Sequence, residues 1–453
     1  MSVSEEERMI GRRRGAVAAC LAVLLLAVPR AGASSVPARP GPGLAPPACL
    51  VADPNEPADA IFATKLRRAA ATTPRDQFPV EARPGATAWA TAGSWHWAAG
   101  FVPGQLWEFY LRTGDPSWRA LALAMDTTLP REARDRGPHD LGFMLGSPYM
   151  PAFAATGDPR YRALLEQGAA TLDTHWRDRP GVLWSLPPRP GHVEIIVDSA
   201  MNMDLLLWAA EHGGSPQLRA HALSHLRHLA VDGLRADGST VHVIDYDAAT
   251  GRRLRTYTRQ GFSDASAWSR GQAWFFTGLA QGYRHTHDPV LLSAATRAAD
   301  YYLGHLPSDR VPYWDMSQPA GSSTPRDTAA GAVAAFGLGV LADVTPDAAN
   351  RARWQAESLL ETQALLRPPY LAPASHPAVL THAAHGQKGI ALQAETSFPY
   401  ADYYLLRSLF ALEERAQPVG AFAGGSGCLA GRHHAVTGSV PRLVAGRPGR
   451  VRV

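Results

Sequence analysis

The sequence predicts an all-α fold in which helical hairpins form a closed ring around a central cavity. Five times, an Asp, Ser or Thr stands directly before a proline, and a long segment rich in Ala, Leu and Arg follows. An oxygen-bearing cap with proline at the first helical position is typical of a helix start. Segments that are apolar all round alternate with these amphipathic ones, as expected for buried helices. About a dozen helices alternating in this way favour a ring whose inner helices wall a cavity.

The predicted elements recur at irregular intervals. The helix starts are 43 to 73 residues apart, which fits one hairpin per repeat with insertions of variable length. The predicted starts are Asp115–Pro116, Asp158–Pro159, Ser215–Pro216, Asp288–Pro289 and Thr345–Pro346. The predicted inner helices include residues 100–107, the segment after Asp198, residues 271–279 and residues 327–340. Strand signals are few, and residues 241–251 predict one short hairpin on a loop.

The N-terminus predicts export. Residues 12–14 are arginines, residues 16–28 form an apolar run, and Ala33 lies in a stretch of small residues. This order is typical of a secretory signal peptide, residues 1–33, and the arginines leave the twin-arginine route open beside the general secretory one. The apolar run is too short to favour a spanning helix, so no stable membrane insertion is expected after cleavage. We therefore predict a secreted protein.

The rest of the chain divides into three parts. Residues 34–58 are predicted to be a linker, because their Pro- and Gly-rich first half cannot pack a core. Residues 59–416 hold the periodic helical pattern and are predicted to form the folded domain. Residues 417–453 lack apolar periodicity and are predicted to be disordered. Cys49 and Cys428 flank the domain, and their spacing gives no geometric test of whether they pair.

The charge distribution argues against a nucleic-acid partner. The chain carries +4, of which residues 1–33 contribute +2 and residues 417–453 contribute +5, so residues 34–416 carry −3. A mildly acidic body lacks the basic surface that nucleic-acid binding needs. The sequence has no Cys-x-x-Cys, His-Glu-x-x-His or Ca²⁺-loop pattern, so neither a metal nor a cofactor is expected. The oligomeric state is left open.

Asp198 is the acid around which the candidate site is built. It follows the β-branched run 195–197 and precedes an apolar helix, so by itself it is interpreted most simply as an N-cap. A His-Asp pair at 139–140 lies upstream, and an Arg between tryptophans at 268–274 lies downstream. Sugars stack on tryptophan faces and paired carboxylates cleave glycosidic bonds, so this combination favours a carbohydrate-active protein.

Eight motifs in order along the chain resemble those of the unsaturated glucuronyl hydrolases of glycoside hydrolase family 88. The resemblance covers about residues 85–410, and the common order of the motifs makes it specific. The motifs are Trp97–Gly104, His139–Phe143, Asp198–Asn202, Asp237–His242, Gln260–Asp264, Trp268–Trp274, Pro312–Asp315 and Arg326–Ala330. The segment Ser397–Tyr404 departs from the pattern, because Pro399 is inserted and Ala401 replaces the usual glycine.

The resemblance implies that the 59–416 domain is an (α/α)6 barrel, a toroid of six helical hairpins. It also implies removal of the 4,5-unsaturated uronic acid from the non-reducing end of oligosaccharides made by polysaccharide lyases. Such enzymes hydrate the C4=C5 vinyl ether, and the resulting hemiketal opens and releases the sugar. The Asp matching Asp198 is the general acid and base, and the Asp matching Asp140 assists. The donor must stay protonated at working pH, so burial or a second carboxylate has to raise its pKa.

Further residues receive substrate-binding roles from the resemblance. His242 and Gln260 match residues near the reacting face, and Arg270 matches a substrate-side arginine. From the residues alone, Arg270 is equally well explained by a structural pair with an acid such as Asp264, and any single tryptophan is more often core. The predicted substrate-binding residues are His139, Trp97, Trp184, His242, Gln260, Trp268, Arg270, Trp274 and Ser397.

Three other functions fit part of the same observations. An unsaturated rhamnogalacturonyl hydrolase would share the barrel and the chemistry, but the Arg270 motif and the pair of His242 and Gln260 favour the glucuronyl branch. An ordinary inverting glycosidase would place two acids around an intact bond. A non-catalytic glycan-binding protein would keep the aromatic groove and need neither acid. The polysaccharide that supplies the substrate is left open, since many lyase products end in the same unsaturated uronate.

Overall fold

The computed structural model describes residues 51–416, except 54–55, 319–320, 322–323 and 388–389. All of these described residues belong to a single compact unit. Outside them lie the predicted signal peptide, most of the linker, the 417–453 tail, and both Cys49 and Cys428. Within the described ranges, no helix combines the length and hydropathy that crossing a membrane requires.

Twelve α-helices in the described part of the chain alternate between an inner and an outer ring. They are α1 (Ala58–Thr72), α2 (Phe101–Thr113), α3 (Pro116–Met125), α4 (Ser147–Thr156), α5 (Pro159–Asp173), α6 (Ser199–Glu211), α7 (Pro216–His228), α8 (Ser269–Thr286), α9 (Pro289–Gly304), α10 (Thr328–Val344), α11 (Ala348–Leu365) and α12 (Pro399–Ala416). The even-numbered helices form the inner ring. In it α2 packs on α4, α6 on α8, α8 on α10, α10 on α12, and α12 returns to α2. The π-helical turn Gly142–Gly146, which precedes α4, completes the ring by packing on α6. The predicted (α/α)6 barrel is thereby confirmed.

Local sequence signals account for the outer helices. Four predicted starts are confirmed, each with a side-chain oxygen that accepts the amide hydrogen two residues on and with proline at the first helical position. These caps are Asp115, Asp158, Ser215 and Asp288. The fifth prediction is wrong, because Thr345 ends α10, and Asp347 caps α11, which begins at Ala348. The preference of Asp over Thr at this position explains the later start.

Short antiparallel strands join the helices. The predicted hairpin is confirmed as β8 (Val243–Asp247) and β9 (Arg253–Tyr257), and β7 (His192–Ile196) pairs with the other edge of β8. The other strands are β1 (Val51–Asp53), β2 (Glu56–Pro57), β3 (Phe78–Glu81), β4 (Ala90–Ala92), β5 (Trp176–Arg177), β6 (Val182–Leu183), β10 (Ala383–Gln387) and β11 (Ile390–Thr396). Of these, β1 and β2 form a short pair inside the predicted 34–58 linker.

The candidate residues lie where the inner helices begin. Trp97 precedes α2, Asp140 precedes the π-helical turn and α4, Asp198 precedes α6, Arg270 lies in the first turn of α8, and Ser397 precedes α12. Aromatic contacts between the starts of α2, α4, α8 and α12 bring these ends together at one mouth of the barrel. The fold thus gathers residues that are up to 300 positions apart in the sequence.

Candidate active site

Asp198 lies between β7 and α6, and its carboxyl group does not stabilise the start of α6 by a capping hydrogen bond. The residue has helical backbone angles, φ −70° and ψ −18°, and its side chain accepts no capping hydrogen bond. Asp198 thus occupies the predicted N-cap position, but its carboxylate does not make the predicted capping hydrogen bond to an amide of the described residues. The side chain is only 15% exposed, and its buried Oδ1 has no hydrogen-bond partner among the described residues. A buried oxygen without a partner is uncommon in folded proteins, and a catalytic role is one explanation for it.

His139 and Asp140 face Asp198 from the loop before the π-helical turn. His139 Nε2 lies 3.3 Å from Asp140 Oδ1 and 3.9 Å from Asp198 Oδ1, so one imidazole neighbours both carboxyl groups. The three side chains are 15% to 17% exposed. The structure thus brings together the two predicted catalytic acids and one predicted substrate-binding residue, and all three side chains are largely shielded from solvent.

Burial and the neighbouring charged groups change the pKa of Asp198. Burial, and after it the negative charge of Asp140, raise the pKa of Asp198 to about 7, against smaller opposing effects of His139 and Arg270. A carboxyl group with this pKa still carries its proton close to neutral pH. Asp198 is therefore suited to donate a proton, as general acid catalysis at neutral pH requires.

Asn202 positions Asp140, and sequence reasoning missed this role. Its Nδ2 donates to Asp140 Oδ1 at 3.1 Å, and its Oδ1 accepts from the Phe143 amide at 3.1 Å. Gly142 permits this contact, because a Cβ there would lie 2.6 Å from the Asn202 Cα. Asn202 follows Asp198 by one helical turn, so the two share a helix face. That spacing was the available signal in the sequence.

Arg270 is held by a buried network. It is 3% exposed, pairs through Nη1 with Asp327, and donates from Nη1 to the Ala384 carbonyl at 2.8 Å. Its Nη2 donates to Gln260 Oε1 at 3.3 Å. The expected structural pair exists, but its partner is Asp327 and not Asp264, whose carboxylate accepts the Thr258 amide hydrogen at 3.0 Å. The guanidinium also lies 4.8 Å from the centre of a Trp268 ring.

His242 presents a hydrogen-bond donor near Trp268. Its Nδ1 accepts from the backbone amides of Arg259 at 3.1 Å and Gln260 at 3.2 Å, so Nε2 carries the hydrogen. Burial lowers the pKa of His242 to about 3, which keeps the ring neutral. Its Nε2 has no partner within the described residues. The ring centre lies 4.6 Å from that of Trp268.

Aromatic rings line the mouth. Trp97 and Trp274 are joined through Phe143 and Tyr400, with ring centres 5.0 to 6.0 Å apart. Trp274 is 2% exposed and contributes mainly to the core, whereas Trp97 is partly exposed. Tyr400 belongs to this box and lies 5.8 Å from the Arg270 guanidinium. Sequence reasoning missed it, because it sits in the divergent segment, where only Ser397 was singled out.

Trp184 and Ser397 make their observed contacts away from the two acids. Trp184 stacks on His175 with ring centres 3.5 Å apart, and its buried indole Nε1 has no partner in the described part of the chain. Ser397 is 1% exposed and pairs through its backbone with Ala82, while its hydroxyl group has no partner within the described ranges. The structure gives neither residue a direct contact with the two acids.

Unpaired polar atoms concentrate in this set of residues. Six of the eleven predicted site residues carry a buried side-chain atom with no hydrogen bond within the described part of the chain. They are His139, Trp184, Asp198, His242, Trp268 and Ser397. Buried polar groups are normally paired, so open donors and acceptors such as those of His139, Asp198 and His242 are available to a polar ligand. No cluster of His, Cys, Asp or Glu in the described ranges is arranged to hold a metal ion.

Comparison with known proteins identifies the family. The profile of Glycosyl Hydrolase Family 88 matches residues 77–310. The unsaturated glucuronyl hydrolase of Bacillus sp. strain GL1 is 32% identical over 353 residues, which cover 75% of this chain and 91% of that protein. The chain belongs to glycosyl hydrolase family 88. An unsaturated chondroitin disaccharide hydrolase of Streptococcus pyogenes is 34% identical over 256 residues, which cover 55% of this chain and 64% of that protein.

Solved structures of family 88 proteins agree with the barrel. An unsaturated glucuronyl hydrolase specific for heparin superposes with a TM-score of 0.73 at 31% identity, covering 78% of this chain and 95% of that one. The Bacillus sp. GL1 enzyme gives a TM-score of 0.72 at 28% identity, covering 78% of this chain and 94% of that one. The predicted family and fold are thus both confirmed.

Proposed function

We propose that this family 88 hydrolase releases the 4,5-unsaturated uronic acid from the non-reducing end of lyase-generated oligosaccharides. The observation that carries the proposal is the Asp198 carboxyl group beside Asp140, whose buried Oδ1 has no hydrogen-bond partner among the described residues and whose pKa is raised to about 7. The family relatives named unsaturated glucuronyl hydrolase and unsaturated chondroitin disaccharide hydrolase support the same reaction.

The chemistry follows from where the proton lies. Asp198 donates its proton to C4 of the vinyl ether, and positive charge develops at C5 and the ring oxygen. The resulting Asp198 carboxylate then takes a proton from a water molecule whose oxygen adds to C5. The hemiketal at C5 opens to a ketone, which leaves a hemiacetal at C1 that expels the remaining sugar as an alcohol. Asp198 ends the cycle protonated, so one water is consumed in each turnover.

Neighbouring groups have supporting roles in this scheme. Asp140, held by Asn202, keeps the Asp198 pKa high in the free enzyme. His242 offers a neutral N–H donor, and Gln260 and Arg270 offer further polar contacts near the same mouth. Among the four predicted tryptophans, Trp97 and Trp184 are partly exposed, so their ring faces are accessible to a sugar.

The test uses a panel of lyase-made disaccharides from chondroitin, hyaluronan and heparin. Loss of the ultraviolet absorbance of the C4=C5 bond reports turnover, and Asp198→Asn serves as the inactive control. A saturated aryl glucuronide should be untouched, because protonation at C4 needs the double bond. Cleavage of that glucuronide at a comparable rate would favour an ordinary glycosidase. Binding of unsaturated disaccharides without turnover would favour a glycan-binding protein.

The pH dependence gives a second test of the same scheme. The active form of Asp198 is the protonated one, so kcat/KM should fall as pH rises through about 7. A profile that instead rises through this pH would assign the essential ionised group elsewhere.

We also propose that the protein is exported, with residues 1–33 removed as a signal peptide. The order of arginines, apolar run and small residues supports this. N-terminal sequencing of the protein recovered outside the producing cell should begin at Ser34. Retention of the intact chain inside the cell would contradict it.

A further inference from the structure

A buried serine and histidine lie directly behind the proposed acid, and the proposed reaction does not use them. Ser199 is the first residue of α6 and is 3% exposed, and His225 lies on α7 and is fully buried. His225 Nε2 is 2.7 Å from Ser199 Oγ, which also donates to the Ile196 carbonyl at the end of β7.

The direction of these hydrogen bonds excludes a serine nucleophile. His225 Nδ1 accepts from the Leu183 amide at 3.2 Å, so its Nε2 must carry the hydrogen and donate it to Ser199 Oγ. A catalytic histidine would instead accept the serine proton. The hydroxyl hydrogen of Ser199 is already committed to the Ile196 carbonyl. Burial also lowers the pKa of His225 to about 3, so the ring stays neutral.

The bonds form a continuous chain through the backbone around Asp198. They run from Leu183, which precedes Trp184, through His225 and Ser199 to Ile196. Asp198 lies between the last two residues of this chain and supplies no capping bond of its own. The two hydrogen bonds of the Ser199 hydroxyl group therefore stabilise the turn between β7 and α6, and the carboxyl group of Asp198 is not needed for this purpose.

We propose that Ser199 and His225 are positioning residues that fix the Asp198 carboxyl group relative to His139 and Asp140. Asn202 lies one turn further along α6 and holds Asp140, so a shift of the first turn of α6 alters the spacing of both acids. The expected effect on kcat rests on the proposed function, whereas the expected effect on the position of the Asp198 carboxyl group does not.

The kinetic test compares Ser199→Ala with Ser224→Ala. Ser224 precedes His225 on the same helix, and its hydroxyl group donates to the Gly181 carbonyl at 2.7 Å, so this control also loses one side-chain hydrogen bond. A displacement of about 1 Å at a reacting group costs up to ~10²-fold. We therefore expect Ser199→Ala to lower kcat about 10- to 100-fold with little change in KM, and to shift the alkaline limb of the pH profile. Ser224→Ala should change neither kcat nor the alkaline limb of the pH profile.

Two histidine variants separate positioning from mere stability. His225→Gln keeps a donor that reaches Ser199, whereas His225→Asn keeps an acceptor for the Leu183 amide and loses that donor. We expect the Gln variant to retain most of kcat and the Asn variant to fall as far as Ser199→Ala. Equal kcat in the two variants, whatever their melting temperatures, would overturn the proposal.

A titration that needs no substrate keeps this inference separate from the proposed function. The carboxyl carbon of Asp198 is followed by ¹³C NMR on the labelled full-length protein and assigned by its loss in Asp198→Asn. The groups facing it are Asp140, His139 and Arg270. Ser199→Ala should move this titration, and Ser224→Ala should not. A wild-type protein inactive on every disaccharide would refute the proposed function, whereas an unmoved titration in Ser199→Ala would refute the positioning role.

Discussion

Replacing Asp198 by Asn should remove activity and stabilise the folded protein at alkaline pH. The variant keeps the shape of the side chain and loses the only proton donor of the proposed mechanism. General acid or base assistance is worth ~10²–10⁴-fold, and a residue that serves in both roles should reach the upper end of this range. We therefore expect turnover of an unsaturated disaccharide to fall by about 10⁴-fold.

The stability effect follows from the raised pKa. The pKa of Asp198 is about 7 in the folded protein against an ordinary value of 3.8. The folded state therefore binds more protons between these values, so its stability falls as pH rises through that window. At 1.36 kcal/mol per unit, the cost of the ionised group above pH 7 is at most about 4 kcal/mol, and we expect about 2–4 kcal/mol.

Asparagine cannot ionise, so the variant escapes this cost. Thermal unfolding of the two proteins should differ by about 2–5 °C at pH 8 and converge as pH falls towards 4. Asp115→Asn is the matched control, because Asp115 is 46% exposed and caps α3. It should keep full turnover and show no stability gain that grows with pH.

Two results would refute this reasoning separately. A folded Asp198→Asn protein that keeps a third of wild-type turnover would place the acid elsewhere, with Asp140 the first residue to examine. Equal melting temperatures at pH 8 would mean that Asp198 is not held protonated by burial, even if activity were lost.

Three further predictions concern other parts of the chain. Asp140→Asn should lower kcat and move the alkaline limb of the pH profile to lower pH, because it removes the charge that raises the pKa of Asp198; combined with Asp198→Asn in a double-mutant kinetic cycle, it should be far from additive. Asn202→Ala leaves the buried Phe143 amide unpaired, so denaturant unfolding should show a loss of about 1–3 kcal/mol, and an unchanged midpoint would contradict the assigned contacts. Deleting residues 418–453 should leave the melting temperature and turnover nearly unchanged, since the segment lacks apolar periodicity. A drop of many degrees would instead favour a docked tail and a bridge between Cys49 and Cys428.

The helices were predictable because their signals are local. An Asp-Pro pair such as Asp115–Pro116 carries both the cap and the first helical residue, and an all-apolar run marks an inner helix. The error at Thr345 has the same origin, since a better cap, Asp347, stands two residues later. The family resemblance then supplied the barrel and the identity of the two acids.

The environment of the acids was not predictable in the same way. Whether Asp198 caps α6 depends on Ser199 taking over the turn, and that requires His225 from the next helix. The partner of Arg270 is Asp327, which lies 57 residues away, although Asp264 is nearer in sequence. Contacts of this kind depend on helix packing and leave no periodic trace in the chain.

The inner helices all begin at the mouth that holds the site. Each helix directs its unpaired backbone N–H groups, equivalent to about half a positive charge, towards that end. Six such ends around the site, those of α2, α6, α8, α10, α12 and the π-helical turn that runs into α4, create a field that favours anions even without the charges of side chains. A uronate carboxylate is drawn to this mouth by the architecture itself. The same field opposes protonation of Asp198, so burial and Asp140 must outweigh the barrel's own polarity to keep the acid protonated.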